Sequence, residues 1–161
     1  ERFPRLTVEF IGDGPERVAY ERLAADLGVA ARVCFTGVVD NRIVLERMAS
    51  AALVIAPSRM EALGMVNVEA LAVGTPVVAT TIGGIGEIVR DGVDGYLVPP
   101  DDVEGLAARI ERLLTDRAIW EQFSGQARQG FLERFEMNSN IGQQADWYEG
   151  LAAAPGARSK Q

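Results

Sequence analysis

Residues 53–80 read LVIAPSRMEALGMVNVEALAVGTPVVAT, and this stretch decides the fold. Two short apolar runs, residues 53–56 and 77–80, enclose a segment whose apolar residues recur at helical spacing. A Pro-Ser pair ends the first run, and a Gly-Thr-Pro break precedes the second. Near-continuous apolar strands on either side of a helix are typical of a βαβ unit whose parallel strands are buried on both faces.

Amphipathic segments alternate with strand-like runs along most of the chain. In the first such segment Val18, Leu23 and Leu27 fall on one face, as in a helix that covers a sheet. We therefore predict an α/β fold, with a Rossmann-like parallel sheet and helices on both of its faces. The remaining strands are expected at residues 6–11, 32–36 and 96–98.

After a Pro-Pro pair at residues 99–100 the pattern becomes helical only, which predicts a helical C-terminal end. The first of three helices starts near Asp101 or Asp102, either of which is suited to cap it. The other two are expected at residues 117–135 and 138–151. One domain is predicted over residues 1–154, followed by a flexible tail at 155–161.

Composition excludes several classes of function. With 23 Asp and Glu against 16 Lys and Arg the net charge is −7, which argues against a nucleic-acid partner. The chain has no His, so Ser-His-Asp catalysis and His-ligated metals are excluded within it. Cys34 lies in an apolar run and is expected to be a small buried residue. A single Cys and the lack of a membrane-spanning stretch favour a cytoplasmic protein, with peripheral contact at the inner face of the membrane as a further expectation.

Two glutamates stand eight positions apart in the opening stretch, Glu61 in the loop after the first strand and Glu69 in the helix. Ligands of open α/β sheets bind at the carboxyl ends of strands, and the free N–H groups at a helix N-terminus, here residues 64–66, favour a phosphate. A phosphate with hydroxyls on both sides, as in a nucleotide sugar, suits this arrangement. A structural ion pair or a solvated carboxylate explains the glutamates about equally well.

Two glycine-rich stretches admit other interpretations. The strand-to-helix turn FIGDGPE suggests a dinucleotide-binding turn. However, Arg17 stands where the third glycine of G-x-G-x-x-G is required, which disfavours an NAD site. A tight turn with Pro15 at the first helical position is favoured instead. In TTIGGIGEIVRDG the glycines Gly83, Gly84 and Gly86 indicate either close approach to a ligand or opposing domain, or a plain turn.

The motifs taken together resemble one family. FIGDGPE, RVCFTGVV, ALVIAPSRMEALGMVNVEALAVGTPVVAT, GGIGEIVRDGVDGYLVPPDD and ARIERLLTD occur in this order. With this order, and with the E-x7-E spacing in its Gly-Thr-Pro context, the chain is similar to the C-terminal, donor-binding domain of family 4 retaining glycosyltransferases, which have the GT-B fold. The resemblance covers nearly the whole chain.

The resemblance implies a role for each matching residue. Glu61 would be the catalytic-site carboxylate that bonds the hydroxyls of the donor sugar, and Glu69 would bond the ribose. The loop around Val39 and Arg42 would contact the base. The diphosphate and the sugar would be held by the backbone amides of Leu63, Gly64, Met65 and Val66. The family usually has an aromatic residue where Leu63 stands, so the packing beside the sugar differs here.

The resemblance also implies what the chain lacks. In the family this domain opens with a strand and a helix that carry an Arg and a Lys for the diphosphate, whereas the present sequence begins at ERFP, the end of that helix. The lost strand is central in the usual order, so we predict a gap filled by another chain, through dimerisation or strand exchange, or a shifted pairing. The acceptor, a glycan or a lipid-linked molecule, would bind the absent N-terminal domain.

The implied activity is transfer of a hexose from a nucleotide-diphosphate sugar, with retention, in polysaccharide biosynthesis. The lack of a D-x-D carboxylate pair fits a reaction without a metal, and no other cofactor is expected. The fragment alone would be inactive. A nucleotide-sugar epimerase of GT-B fold and a non-catalytic nucleotide-sugar-binding module remain alternatives.

Overall fold

The computed structural model describes residues 3–136, which divide between two compact units, Glu1–Arg47 and Met48–Gln161. The predicted helix at 138–151 and the tail at 155–161 lie outside the described residues. The strands form two parallel sheets flanked by helices, so the predicted α/β class is confirmed. Within residues 3–136 the strands form one two-stranded and one three-stranded sheet, and the filling of a gap by another chain stays a prediction.

The first unit contains a parallel strand pair. Its elements are β1 (Val8–Ile11), α1 (Arg17–Asp26), a 3-10 turn (Ala30–Arg32), β2 (Val33–Gly37) and the larger part of α2 (Asn41–Ser50). In the register of the pair, Phe10 lies opposite Phe35, and their rings stack with centroids 4.9 Å apart. Arg17 donates from its guanidinium to the carbonyl oxygen of Phe35 at 3.0 Å, which ties the start of α1 to β2.

Three expectations for the first unit are wrong. The face of α1 formed by Val18, Leu23 and Leu27 is exposed, because a two-stranded sheet offers little surface for a helix to cover and only Ala24 of α1 is buried. Cys34 is exposed, since a strand with alternating faces directs it away from the packed side. The helix begins at residue 17, two residues after the proline expected to open it.

The second unit is a three-stranded parallel sheet in the order β3-β4-β5. Its elements are β3 (Val54–Ala56), α3 (Met65–Ala72), β4 (Val77–Thr80), α4 (Ile85–Ile88), β5 (Gly95–Val98), α5 (Val103–Thr115) and α6 (Arg117–Arg134). The central strand β4 is buried at all four positions, as the apolar sequence before its final Thr80 predicts. The core of the second unit contains Val78, Tyr96, Leu113 and Phe123.

Side-chain caps set the starts of the last two described helices. Asp102 caps α5, since its carboxylate accepts the N–H of Gly105 at 2.9 Å, and this decides between the two candidate caps. Asp101 instead has a φ of 64°. Asp116 caps α6 by accepting the N–H of Ile119 at 3.1 Å. The apolar stripe of α5 is only partly buried, because Val103 at its start is exposed.

Candidate functional site

The loop between β3 and α3 leaves the sheet at the carboxyl end of β3 and ends at Gly64. This glycine has φ 84° and ψ 52°, in the left-handed region that favours glycine. A Cβ at Gly64 would lie 2.7 Å from Nδ2 of Asn67 and 3.1 Å from Cγ1 of Ile85. Both the backbone conformation and the close packing therefore require glycine where the chain enters α3.

The first turn of α3 presents unused hydrogen-bond donors. No side chain caps this helix. Among the hydrogen bonds between described residues, none has the N–H of Gly64, Met65 or Val66 as its donor, whereas the N–H of Asn67 donates to the Gly64 carbonyl at 2.9 Å. The free N–H groups form the positive end of the helix, which attracts an anion.

Glu61 lies beside this helix end, and Glu69 lies further along the same helix. Cγ of Glu61 is 3.4 Å from the position that a Cβ on Gly64 would take, and its Oε1 accepts the N–H of Ala62 at 3.1 Å. Glu69 is partly exposed, although its neighbours in sequence are apolar. Within residues 3–136 neither carboxylate forms an ion pair, so the structural ion pair that the sequence left open has no partner there.

The glycine-rich turn after β4 packs against this loop. The N–H of Gly84 donates to the carbonyl of Ala62 at 3.0 Å, and a Cβ at Gly83 would overlap the carbonyl oxygen of Glu61. The sequence allowed close approach to a ligand or an opposing domain, or a plain turn. In the structure Gly83 and Gly84 form a turn that approaches the chain's own backbone. The sequence signal was the adjacent pair of glycines directly after a buried strand.

Two buried polar side chains near this loop were missed by sequence reasoning. Thr80, at the end of β4, donates its hydroxyl to the carbonyl of Ser58 at 2.6 Å. Asn67 is fully buried and donates from Nδ2 to the carbonyl of Gly64 at 3.1 Å, while its Oδ1 has no partner among the described residues. A polar residue in the first turn of an otherwise apolar helix was the available signal for Asn67.

The other predicted site residues divide between exposed side chains of the second unit and residues of the first. Leu63 and Met65 have about half of their side-chain surface exposed, at 50% and 55%. Val39 and Arg42 belong to the first unit, after β2. The Nε of Arg42 donates to Oε1 of Glu46 at 3.1 Å, and both side chains are exposed.

No three His, Cys, Asp or Glu side chains of residues 3–136 come together as metal ligands would. No helix of that part is both long and apolar enough to cross a bilayer.

A parallel α/β sheet with an uncapped helix end after one of its strands, and with two carboxylates that form no ion pair within residues 3–136, is typical of an α/β ligand-binding domain. Sequence comparison identifies the family. The chain belongs to the glycosyl transferases group 1 family, whose model matches residues 1–130.

Curated relatives include proteins named as glycosyltransferases, and the chain spans well under half the length of the relatives it matches. It is 35% identical over 133 residues to the N-acetyl-alpha-D-glucosaminyl L-malate synthase of Bacillus anthracis, covering 83% of this chain and 34% of that protein. Sucrose-phosphate synthase from Thermosynechococcus elongatus superposes with a TM-score of 0.82 at 30% identity, over 96% of this chain and 40% of that one. HepE of Anabaena, solved in complex with UDP, superposes with a TM-score of 0.81 at 30% identity, over 92% of this chain and 42% of that one.

Proposed function

We propose that this chain binds the nucleotide-sugar donor of a retaining glycosyltransferase. The observation that carries the proposal is the α3 N-terminus: a left-handed Gly64 opens the helix, and free N–H groups lie beside the unpaired carboxylate of Glu61. Family membership supports a donor with a diphosphate, and so do the complexes of HepE with UDP and with UDP-glucose.

In this proposal each polar group of the loop takes one part of the donor. The amides of residues 63–66 hold the diphosphate, because N–H dipoles at a helix N-terminus favour negative charge. Glu61 accepts hydrogen bonds from the hydroxyls of the sugar, and Glu69 accepts them from the ribose. Contact of Val39 and Arg42, which belong to the first unit, with the base stays a prediction from the family resemblance.

Catalysis would rest on positioning and on charge. When the bond between the sugar and the diphosphate breaks, negative charge grows on the leaving diphosphate and the sugar gains oxocarbenium character. N–H groups fixed before the reaction stabilise that charge without reorganising. No metal is needed for this step, and the acceptor, a glycan or a lipid-linked molecule, would come from outside these residues.

The proposal is tested with the full-length protein and UDP-, GDP- and ADP-sugars. We expect release of one nucleoside diphosphate that depends on an added acceptor, and a glycosidic product whose anomeric proton coupling in NMR matches that of the donor. An inverted anomeric centre would contradict retention. A changed sugar that stays attached to the nucleotide would indicate an epimerase, and tight donor binding without release under any condition would indicate a binding module.

A further inference from the structure

The loop that carries Glu61 is held in place by its neighbours through its carbonyl groups. We define the donor loop as residues 58–64 and the support segment as residues 80–84. The hydroxyl of Thr80 donates to the carbonyl of Ser58 at 2.6 Å, and the N–H of Gly84 donates to the carbonyl of Ala62 at 3.0 Å. The donor loop is thus bonded to the support segment near its start and again beyond its middle.

Between these two bonds the support segment touches the donor loop directly. A Cβ at Gly83 would overlap the carbonyl oxygen of Glu61, so the two backbones are closer there than any side chain allows. Gly83 also has a φ of 49°, a conformation that other residues rarely adopt. A Cβ at Gly84 would lie 3.1 Å from the carbonyl oxygen of Ala62, whereas Gly86, just beyond the support segment, has open space at its Cβ position. The requirement for glycine is therefore strictest at Gly83.

The geometry of the peptide unit determines which way the N–H groups of the donor loop point. In a trans peptide unit, the carbonyl of one residue and the N–H of the next point in opposite directions. Because the Ala62 carbonyl is bonded to the support segment, the N–H of Leu63 points away from it. The Glu61 carbonyl lies against Gly83, so the N–H of Ala62 also points away, and it is this N–H that Oε1 of Glu61 accepts at 3.1 Å.

Asn67 fixes the orientation of one more peptide unit, at the end of the donor loop. Its Nδ2 donates to the carbonyl of Gly64 at 3.1 Å from a fully buried position. The N–H of Met65, in the same peptide unit as that carbonyl, is therefore directed to the opposite side. These bonds fix the carbonyls of Ala62 and Gly64, and the N–H groups of Leu63 and Met65 in the same peptide units have no partner among the described residues.

We propose that Thr80 and Gly83 are positioning residues that aim the N–H groups of the donor loop at the diphosphate of the donor and hold the carboxylate of Glu61 beside the sugar. This role rests on the proposed function, because it assumes that a nucleoside diphosphate occupies the α3 N-terminus. Neither residue touches the ligand. Each acts by fixing the direction of peptide units that do, and prior fixing of donors strengthens their interaction with an anion.

The test compares nucleoside diphosphates with the corresponding monophosphates, measured by calorimetry on the full-length protein with UDP, GDP, ADP, UMP, GMP and AMP. For Thr80→Val we expect diphosphate affinity to fall about tenfold, the effect of losing one well-aimed hydrogen bond to a charged group, with less than about a twofold change for the monophosphate. Thr80→Ser keeps the hydroxyl and should restore diphosphate affinity. Gly83→Ala should weaken the diphosphate further, since the added methyl must displace the backbone of Glu61.

Two matched controls separate positioning from stability. Thr75 is buried like Thr80 and donates its hydroxyl to the carbonyl of Met48 at 2.8 Å, away from the donor loop. Thr75→Val should lower the melting temperature without changing diphosphate affinity, and Gly86→Ala should leave that affinity unchanged. Equal loss of diphosphate and monophosphate affinity in Thr80→Val, or equal effects of Thr80→Val and Thr75→Val, would overturn the inference. If the unaltered protein bound none of the diphosphates, the proposed function itself would fail.

Discussion

Asp94 joins three elements of the second unit, and its removal should open that unit locally. Its carboxylate is fully buried and accepts the N–H of Arg90 at 2.7 Å, Nε of Arg90 at 2.6 Å and a terminal nitrogen of Arg134 at 3.3 Å. The same Arg134 also donates to the carbonyl of Glu87 at 3.1 Å. The turn before β5, the end of α4 and the last turn of α6 thus meet at one carboxylate.

The expected loss of stability follows from the two arginines that Asp94→Ala leaves without their carboxylate partner. Removing one partner of a buried ion pair typically costs about 3–5 kcal/mol, because the remaining charge is desolvated and unpaired. Burial already lowers the pKa of Arg134, with the Asp94 charge acting in the opposite direction. The side chains of Arg90 and Arg134 keep 36% and 27% of their surface in solvent, which reduces the penalty. We therefore expect the low end of the range, about 3 kcal/mol.

The assay is hydrogen exchange by mass spectrometry on the full-length protein. At about 3 kcal/mol, the protected amides of β5 and α6 should exchange on the order of 100-fold faster in Asp94→Ala. The matched control is Glu121→Ala, which removes an exposed ion pair with Arg117 of similar length, 2.7 Å, and should leave exchange in α6 unchanged. If amides of β5 and α6 exchanged no faster in Asp94→Ala than in Glu121→Ala, the ion pairs of Asp94 with Arg90 and Arg134 would not stabilise this unit.

Three further substitutions test the local physics of the second unit by thermal unfolding. Gly125→Ala in α6 meets no atom within 4 Å and should stabilise by about 0.5–1 kcal/mol; a lower melting temperature would contradict this. Asp102→Ala removes the cap on the N–H of Gly105 and should cost about 1 kcal/mol, whereas an unchanged melting temperature would show that the cap adds nothing. Trp120→Phe loses the hydrogen bond from Nε1 to the carbonyl of Ala52 and should cost about 1 kcal/mol. An unchanged melting temperature would show that water replaces this hydrogen bond.

Much of the fold follows from short-range pattern. The strand β4 has the predicted bounds because the Gly-Thr-Pro break and three consecutive apolar residues followed by a β-branched Thr80 leave few alternatives. The last described helix ends within one residue of the predicted position, because a polar cap starts it and helical spacing continues throughout. Such signals are local, so they survive without knowledge of the tertiary structure.

What could not be predicted depends on partners distant in sequence. Leu23 falls on an apolar face, yet it is exposed because the described first unit has too little sheet to cover it. Thr80 could equally have been one more strand residue, and only its distance to Ser58 shows that it supports the loop. Glu61 and Glu69 were singled out by spacing, but the absence of an ion-pair partner within residues 3–136 could be read only from coordinates.

We predict that Glu61 binds the sugar and Glu69 the ribose of one nucleotide sugar. Neither forms an ion pair among the described residues, so replacing either with Ala should not lower the melting temperature. The direct measurement is the affinity of the full-length protein for a nucleoside diphosphate and for its sugar conjugate. Glu69→Ala should weaken both ligands about tenfold or more, through the ribose they share, and Glu61→Ala should weaken only the sugar conjugate. Unchanged affinity for both ligands in both variants would show that neither carboxylate binds the nucleotide sugar.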